Sequence, residues 1–436
     1  MENSRMKIFV NRIGLFALLV SVYLAGCRQD TKVEPVKDPV VTSYTPEAGR
    51  AGTEIVIQGE NFGNEITDVK VWVNSLQAQV VSVVPTRIYA VVPTAAGSGA
   101  VKVSIREKEF ELSSQFTFQF TRNVSTYSGS GTAVSVDGAL RQASFNRPYW
   151  LAYDKKDDAL FVLEEGRRVR RIKDGMVKTV ASLSGSINNP RNITMSITCD
   201  TLFIGNDNAG NANNVSVAIL TRDTDFSTQQ NYVMSAPSNH VNFAGVHPLD
   251  GTLIFYCWPR KLYKWNKSTN RAELLYDLAT VPGINGDFYA NFAFSPDGTS
   301  MYVVAKYPFI GILRAAYSPF TNEIVGNFQR FAGTGSWGQS DGNGTNASFD
   351  QPAQVMVDTK GTLYIAEKFN HWIRTVSPSG DVLRYVGDGG PGNQGFADGQ
   401  GGNAKFNEPE GIAMDKDGNI YVADLVNSRI RVIKDE

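Results

Sequence analysis

Three histidines, His240, His247 and His371, and three acidic residues that recur at one repeat position, Glu164, Glu367 and Asp424, are the side chains in this sequence best suited to chemistry. A histidine with a neighbouring carboxylate such as Asp250 could hold a catalytic metal. His240 and His247 stand seven residues apart, which on a strand puts them on opposite faces, so they read as unrelated residues. Recurring carboxylates could support glycoside hydrolysis. An acid repeated at one place in successive units is explained more simply by the loop it anchors. No HExxH, CxxC, Gly-x-Ser-x-Gly or phosphate-loop motif occurs. The Gly-rich segments Gly129–Gly131, Gly333–Gly335 and Gly387–Gly392 do not join a strand to a helix and read as turns. No metal, no cofactor and no enzymatic activity are expected.

Aromatic residues carry a stronger signal. Tyr149, Trp150, Trp258, Tyr307, Phe309, Trp337, Phe369, Trp372 and Phe396 fall in or beside segments that read as loops, close to Arg168, Arg260, Lys306, Lys368 and Glu367. Flat rings beside charged groups suit saccharides, whose C–H faces stack on a ring while hydroxyls take polar partners. The expected glycan-binding residues are Tyr149, Trp150, Arg168, Trp258, Arg260, Trp337, Glu367 and Trp372.

Repeated units position these residues. Phe349–Pro352, Val355–Asp358, Leu363–Glu367 and Asn370–Arg374 align with Phe406–Pro409, Ile412–Asp415, Ile420–Asp424 and Asn427–Arg431. A third copy runs through Phe145–Pro148, Leu151–Asp154, Leu160–Glu164 and Arg168–Arg170, and weaker copies start near Asn189, Asn242 and Asn291. Each copy holds short β-type runs that cannot bury both faces alone, so the units must stack as propeller blades. The wording of residues 406–433 resembles the NHL repeat, which implies a six-bladed β-propeller over residues 121–436. The last unit lacks an outer strand, and Arg122–Ser128 reads like one. That strand is predicted to complete the last blade and close the ring.

The chain has 436 residues, 42% of them hydrophobic, enough for two or three domains, and a net charge of −1 gives no basic surplus for nucleic acid. Residues 1–26 combine Arg5, Lys7 and Arg12 with the apolar run Ile13–Leu24, the pattern of a secretory signal. Leu24-Ala-Gly-Cys27 resembles the bacterial lipobox, which implies acylation of Cys27 and membrane attachment through it. Residues 27–38 are polar and read as a tether. Cys199 and Cys257 fall in different units and read as free buried thiols.

Residues 39–120 are rich in Val and Ile, with Pro39–Pro46, Gly52-Thr53, Ile55–Gly59, Asn61–Gly63 and Val71–Val73 resembling an IPT/TIG immunoglobulin-like domain. The expectation is an all-β chain, a β-sandwich followed by the propeller. The domain order looks like that of accessory surface lipoproteins in Gram-negative glycan-uptake systems. That resemblance implies glycan capture at the outer membrane, on the cell surface, beside an outer-membrane transporter. The alternatives are a protein-interaction scaffold, which would show an extended apolar or charged patch, and a metal-dependent lyase or lactonase.

Overall fold

The computed structural model describes residues 37–93, 96–207, 217–232 and 240–435. The expected leader, its Cys27 and most of the tether fall outside the described residues.

Residues 40–118 form the immunoglobulin-like sandwich. Val40–Thr45 pairs with Glu54–Glu60, which pairs with Arg87–Val91. Val69–Val73 pairs with Gly99–Ile105, and that strand with Lys108–Phe118. Leu76–Val84 pairs with both Val69–Val73 and Arg87–Val91, joining the two sets. Alternation turns Ile55, Ile57, Val71, Val73, Val101 and Val103 inward around Phe62 and Phe116. Gly59 has no room for a side chain, since a Cβ there would stand 1.9 Å from Val40 O.

Residues 122–435 form six antiparallel blades. Their inner strands are Pro148–Asp154, Pro190–Met195, Val241–Val246, Ala290–Phe294, Pro352–Val357 and Pro409–Met414. Second strands such as Ala159–Glu164 and Leu253–Cys257 are buried at every residue, because neighbouring blades cover both faces. Arg122–Ser128 pairs antiparallel with Arg429–Asp435 and supplies the outer strand of the sixth blade. Ring closure therefore joins the start of the propeller segment to its end.

The first, fifth and sixth blades share an ionic anchor. Arg170, Arg374 and Arg431 on the third strands are wholly buried. They reach Glu164 at 2.6 Å, Glu367 at 3.2 Å and Asp424 at 2.9 Å at the ends of the second strands. Asp137, Asp341 and Asp398, from the connection entering each blade, close on the same guanidinium groups at 2.8, 2.8 and 2.6 Å. Phe145, Phe349 and Phe406 lie under them. A buried charge is tolerable only when paired, and here the terminal nitrogens of each guanidinium meet two carboxylates and two backbone carbonyls, while its Nε has no partner among the described residues. The recurring acids therefore answer to the recurring arginines. Cys199 and Cys257 are both buried and unpaired.

Candidate functional site

A break in register opens most of the inner strands. Pairing with the second strand slips between Pro148 and Trp150, Pro190 and Asn192, Val241 and Phe243, and Pro409 and Gly411. In the fifth blade it slips between Pro352 and Val355, while the fourth blade pairs without interruption from Ala290 onward. A bulge inserts one residue and re-aims its side chain. The inserted residues are Tyr149, Arg191, Asn242 and Glu410, and all four line one cavity of about 730 Å³. This cavity sits where the inner strands begin and where the connections from second to third strand turn, at one mouth of the central channel that the six inner strands surround.

The cavity wall is polar and mixed in charge. Lys306 and Tyr307 enter from the fourth blade, Lys368 from the fifth and Arg167 from the first. Lys368 Nζ donates to Glu410 Oε2 at 3.0 Å, and Arg191 pairs with Asp207 at 2.9 Å. The Tyr149 hydroxyl donates to the carbonyl of Pro190, bridging the first and second blades, and burial pushes its phenol pKa up. Tyr289 and Tyr307 are 48% and 67% exposed at the rim.

Below the mouth, amide side chains tie the inner strands together. Asn192 donates to Ala244 O at 2.8 Å and accepts from Ala244 N at 2.9 Å. Asn291 donates to Ala353 O at 2.7 Å, and Gln354 accepts from Leu151 N and Ile412 N at 3.1 and 3.0 Å. Against this background, three cavity-lining residues carry buried polar atoms with no hydrogen-bond partner among the described residues: Trp150 Nε1, Asn242 Nδ2, Asn242 Oδ1 and Asn291 Oδ1. Two donors and two acceptors are thus left unmatched on residues that line one cavity.

Of the expected glycan-binding residues, Tyr149 and Trp150 lie in this wall, as do Lys306, Tyr307 and Lys368, which the sequence placed beside them. Arg168, Trp258, Arg260 and Trp337 do not line it. Arg168 is exposed on a third strand, and Trp258 stands edge-on to His240 with ring centres 5.6 Å apart. Arg260 pairs with Asp287 at 3.2 Å, and Trp337 is 74% exposed. Glu367 and Trp372 require a correction: both are buried inside the fifth blade, where the Trp372 indole and Arg374 both donate to the Glu367 carboxylate. The need to neutralise Arg374 fixes their place. Arg191, Asn242 and Glu410 went unrecognised in the sequence, although each directly follows the residue that opens an inner strand.

Among the described residues no three His, Cys, Asp or Glu side chains converge to hold a metal ion. His240 instead pairs with Asp207 at 2.8 Å, and His247 with Asp250 at 3.0 Å.

Comparison with known proteins matches residues 39–120 to the IPT/TIG domain and residues 406–433 to the NHL repeat. An auxiliary nutrient binding protein from Bacteroides thetaiotaomicron superposes with a TM-score of 0.64 at 26% identity, covering 92% of this chain and 99% of that one. An auxiliary nutrient binding protein from Bacteroides ovatus superposes with a TM-score of 0.65 at 22% identity, again over 92% and 99%. Protein SUPPRESSOR OF QUENCHING 1 of Arabidopsis thaliana is 24% identical over 305 residues, 70% of this chain but only 26% of its own length.

Proposed function

We propose that this chain captures glycans without catalysis, in the channel mouth of the propeller. The observation that carries the reading is the set of four unpartnered polar atoms on Trp150, Asn242 and Asn291. Each such atom left unmatched costs about 1–3 kcal/mol. A saccharide would match them, since one sugar hydroxyl both donates and accepts, as the Asn242 amide requires. The exposed rings of Tyr289 and Tyr307 would offer stacking faces at the rim. The likeness to the nutrient binding protein of Bacteroides thetaiotaomicron at 26% identity supports the same direction.

In this reading Cys27 carries the lipid that holds the chain at the outer membrane, on the cell surface, as an accessory to a glycan-uptake transporter. Cys27→Ser should then move the chain from the membrane fraction to the soluble one; retention in the membrane would contradict the anchor.

Titration calorimetry of the chain against a panel of polysaccharides, with parallel assays for reducing ends and unsaturated products, tests the capture itself. Saturable binding without product, weakened at least about tenfold in Trp150→Phe, is the expected result. Product release would make the cavity an active site, and silence across the panel would refute glycan capture.

A further inference from the structure

The charges around the cavity do not cancel at contact distance. Glu164 is held by Arg170 at 2.6 Å, Glu165 by Arg147 at 2.8 Å, and Arg191 by Asp207 at 2.9 Å. Lys368 takes Glu410 at 3.0 Å and Glu408 at 3.5 Å. Lys306 is left with Glu410 Oε1 at 3.9 Å, on a carboxylate whose other oxygen already serves Lys368. Its side chain is only 22% exposed. Burial holds its ammonium below the usual lysine range; the charges of Lys368 and Arg191 add to this, and Glu410 opposes it. A largely desolvated cation without a close counter-charge is a poor arrangement for a protein alone. It becomes a good one when a ligand brings the anion.

We propose that the cavity takes a saccharide bearing an anionic group, a uronate carboxylate or a sulfate ester, with that group on Lys306 and the sugar hydroxyls on Asn242, Asn291 and Trp150. This rests on the glycan-capture reading and narrows it to one class of ligand. Lys306 supplies charge and the unpaired amide and indole atoms supply hydroxyl recognition, both in the wall of the same cavity.

The test compares three forms of each of three tetrasaccharides, built on galactose, glucose and mannose: the neutral parent, the uronate and the 6-sulfate. Calorimetry on the full chain at low salt should show at least one anionic form binding about tenfold or more tightly than its parent. Lys306→Met should bring that ratio close to one. Glu410→Gln, which removes the carboxylate competing for Lys306, should raise it, and carries the test if the Lys306 variant misfolds. Which anion wins separates the uronate from the sulfate. Neutral parents binding as tightly as the anionic forms, a ratio that survives Lys306→Met, or a ratio that falls in Glu410→Gln would overturn the inference while leaving glycan capture standing. Silence from all nine sugars would overturn both.

Discussion

Gln354 grips Leu151 by both of its backbone groups: the side-chain nitrogen donates to Leu151 O at 2.8 Å while the side-chain oxygen accepts from Leu151 N at 3.1 Å. That oxygen also accepts from Ile412 N at 3.0 Å, so one amide in the fifth blade fastens the sixth and the first. Gln354→Leu would leave two N–H groups and one carbonyl buried without partners. A loss of at least about 3 kcal/mol in urea unfolding is expected. An unchanged midpoint would mean that the inner strands hold together without this side chain.

Asn242 should show the reverse behaviour. Both of its side-chain polar atoms are buried and unpartnered among the described residues. Replacing it with Leu, a side chain of similar size, should therefore raise stability by about 1–2 kcal/mol and abolish saccharide binding. A destabilised variant would show that the Asn242 amide has a structural role.

Glu367 gives a pH signature. Burial pushes its carboxyl from the ordinary 4.5 up to about 7, against the pull of Arg374 and the Trp372 indole. A raised folded-state pKa means that the folded protein holds the proton more tightly than the unfolded chain. The group's stabilising contribution is then complete below about pH 4.5 and lost as pH rises through about 7. Relative to Glu367→Gln, the wild type should lose on the order of 3 kcal/mol across that window. Parallel pH–stability curves for the two proteins would contradict the shift.

Ring closure can be tested by where the chain starts. A chain beginning at Thr121 keeps Arg122–Ser128 as the partner of Arg429–Asp435, whereas one beginning at Gly131 loses it. The longer chain should melt cooperatively as a monomer. The shorter one should aggregate through its open sheet edge on size-exclusion chromatography. Equal behaviour of the two would show that the sixth blade holds with three strands.

The repeat was legible because its signals are local: the Asp-Gly turns, the alternating strands and the Pro that opens an inner strand all fall within a few residues. The copies near Phe145, Phe349 and Phe406 repeat the same residues at the same spacing, and with them the closing strand is legible. The cavity was legible only in part. Tyr149 and Trp150 were found because aromatic residues at a blade entrance are conspicuous. Arg191, Asn242 and Glu410 were missed because strict alternation is broken there by a bulge, and a slip of one residue exchanges the faces of a strand. Glu367 and Trp372 were misplaced because neither a repeated acid nor a Trp standing where the next copy has Arg429 tells from sequence whether it serves a ligand or a buried arginine. Arg374, seven residues further on, decided the matter in three dimensions.

The ionic anchors occupy three consecutive blades, the fifth, sixth and first, on both sides of the closing seam. In the second, third and fourth blades the acid's position is held by Asn206, Cys257 and Ala305. The Arg–acid anchors are therefore gathered on one arc of the propeller, and the other arc is built without them. Arg191, Asn242, Asn291 and Lys306, which line the cavity, are all borne by that other arc. Substitution at these four positions leaves the Arg–acid anchors untouched, so the cavity wall can be altered on that side while the seam that closes the ring keeps its supports.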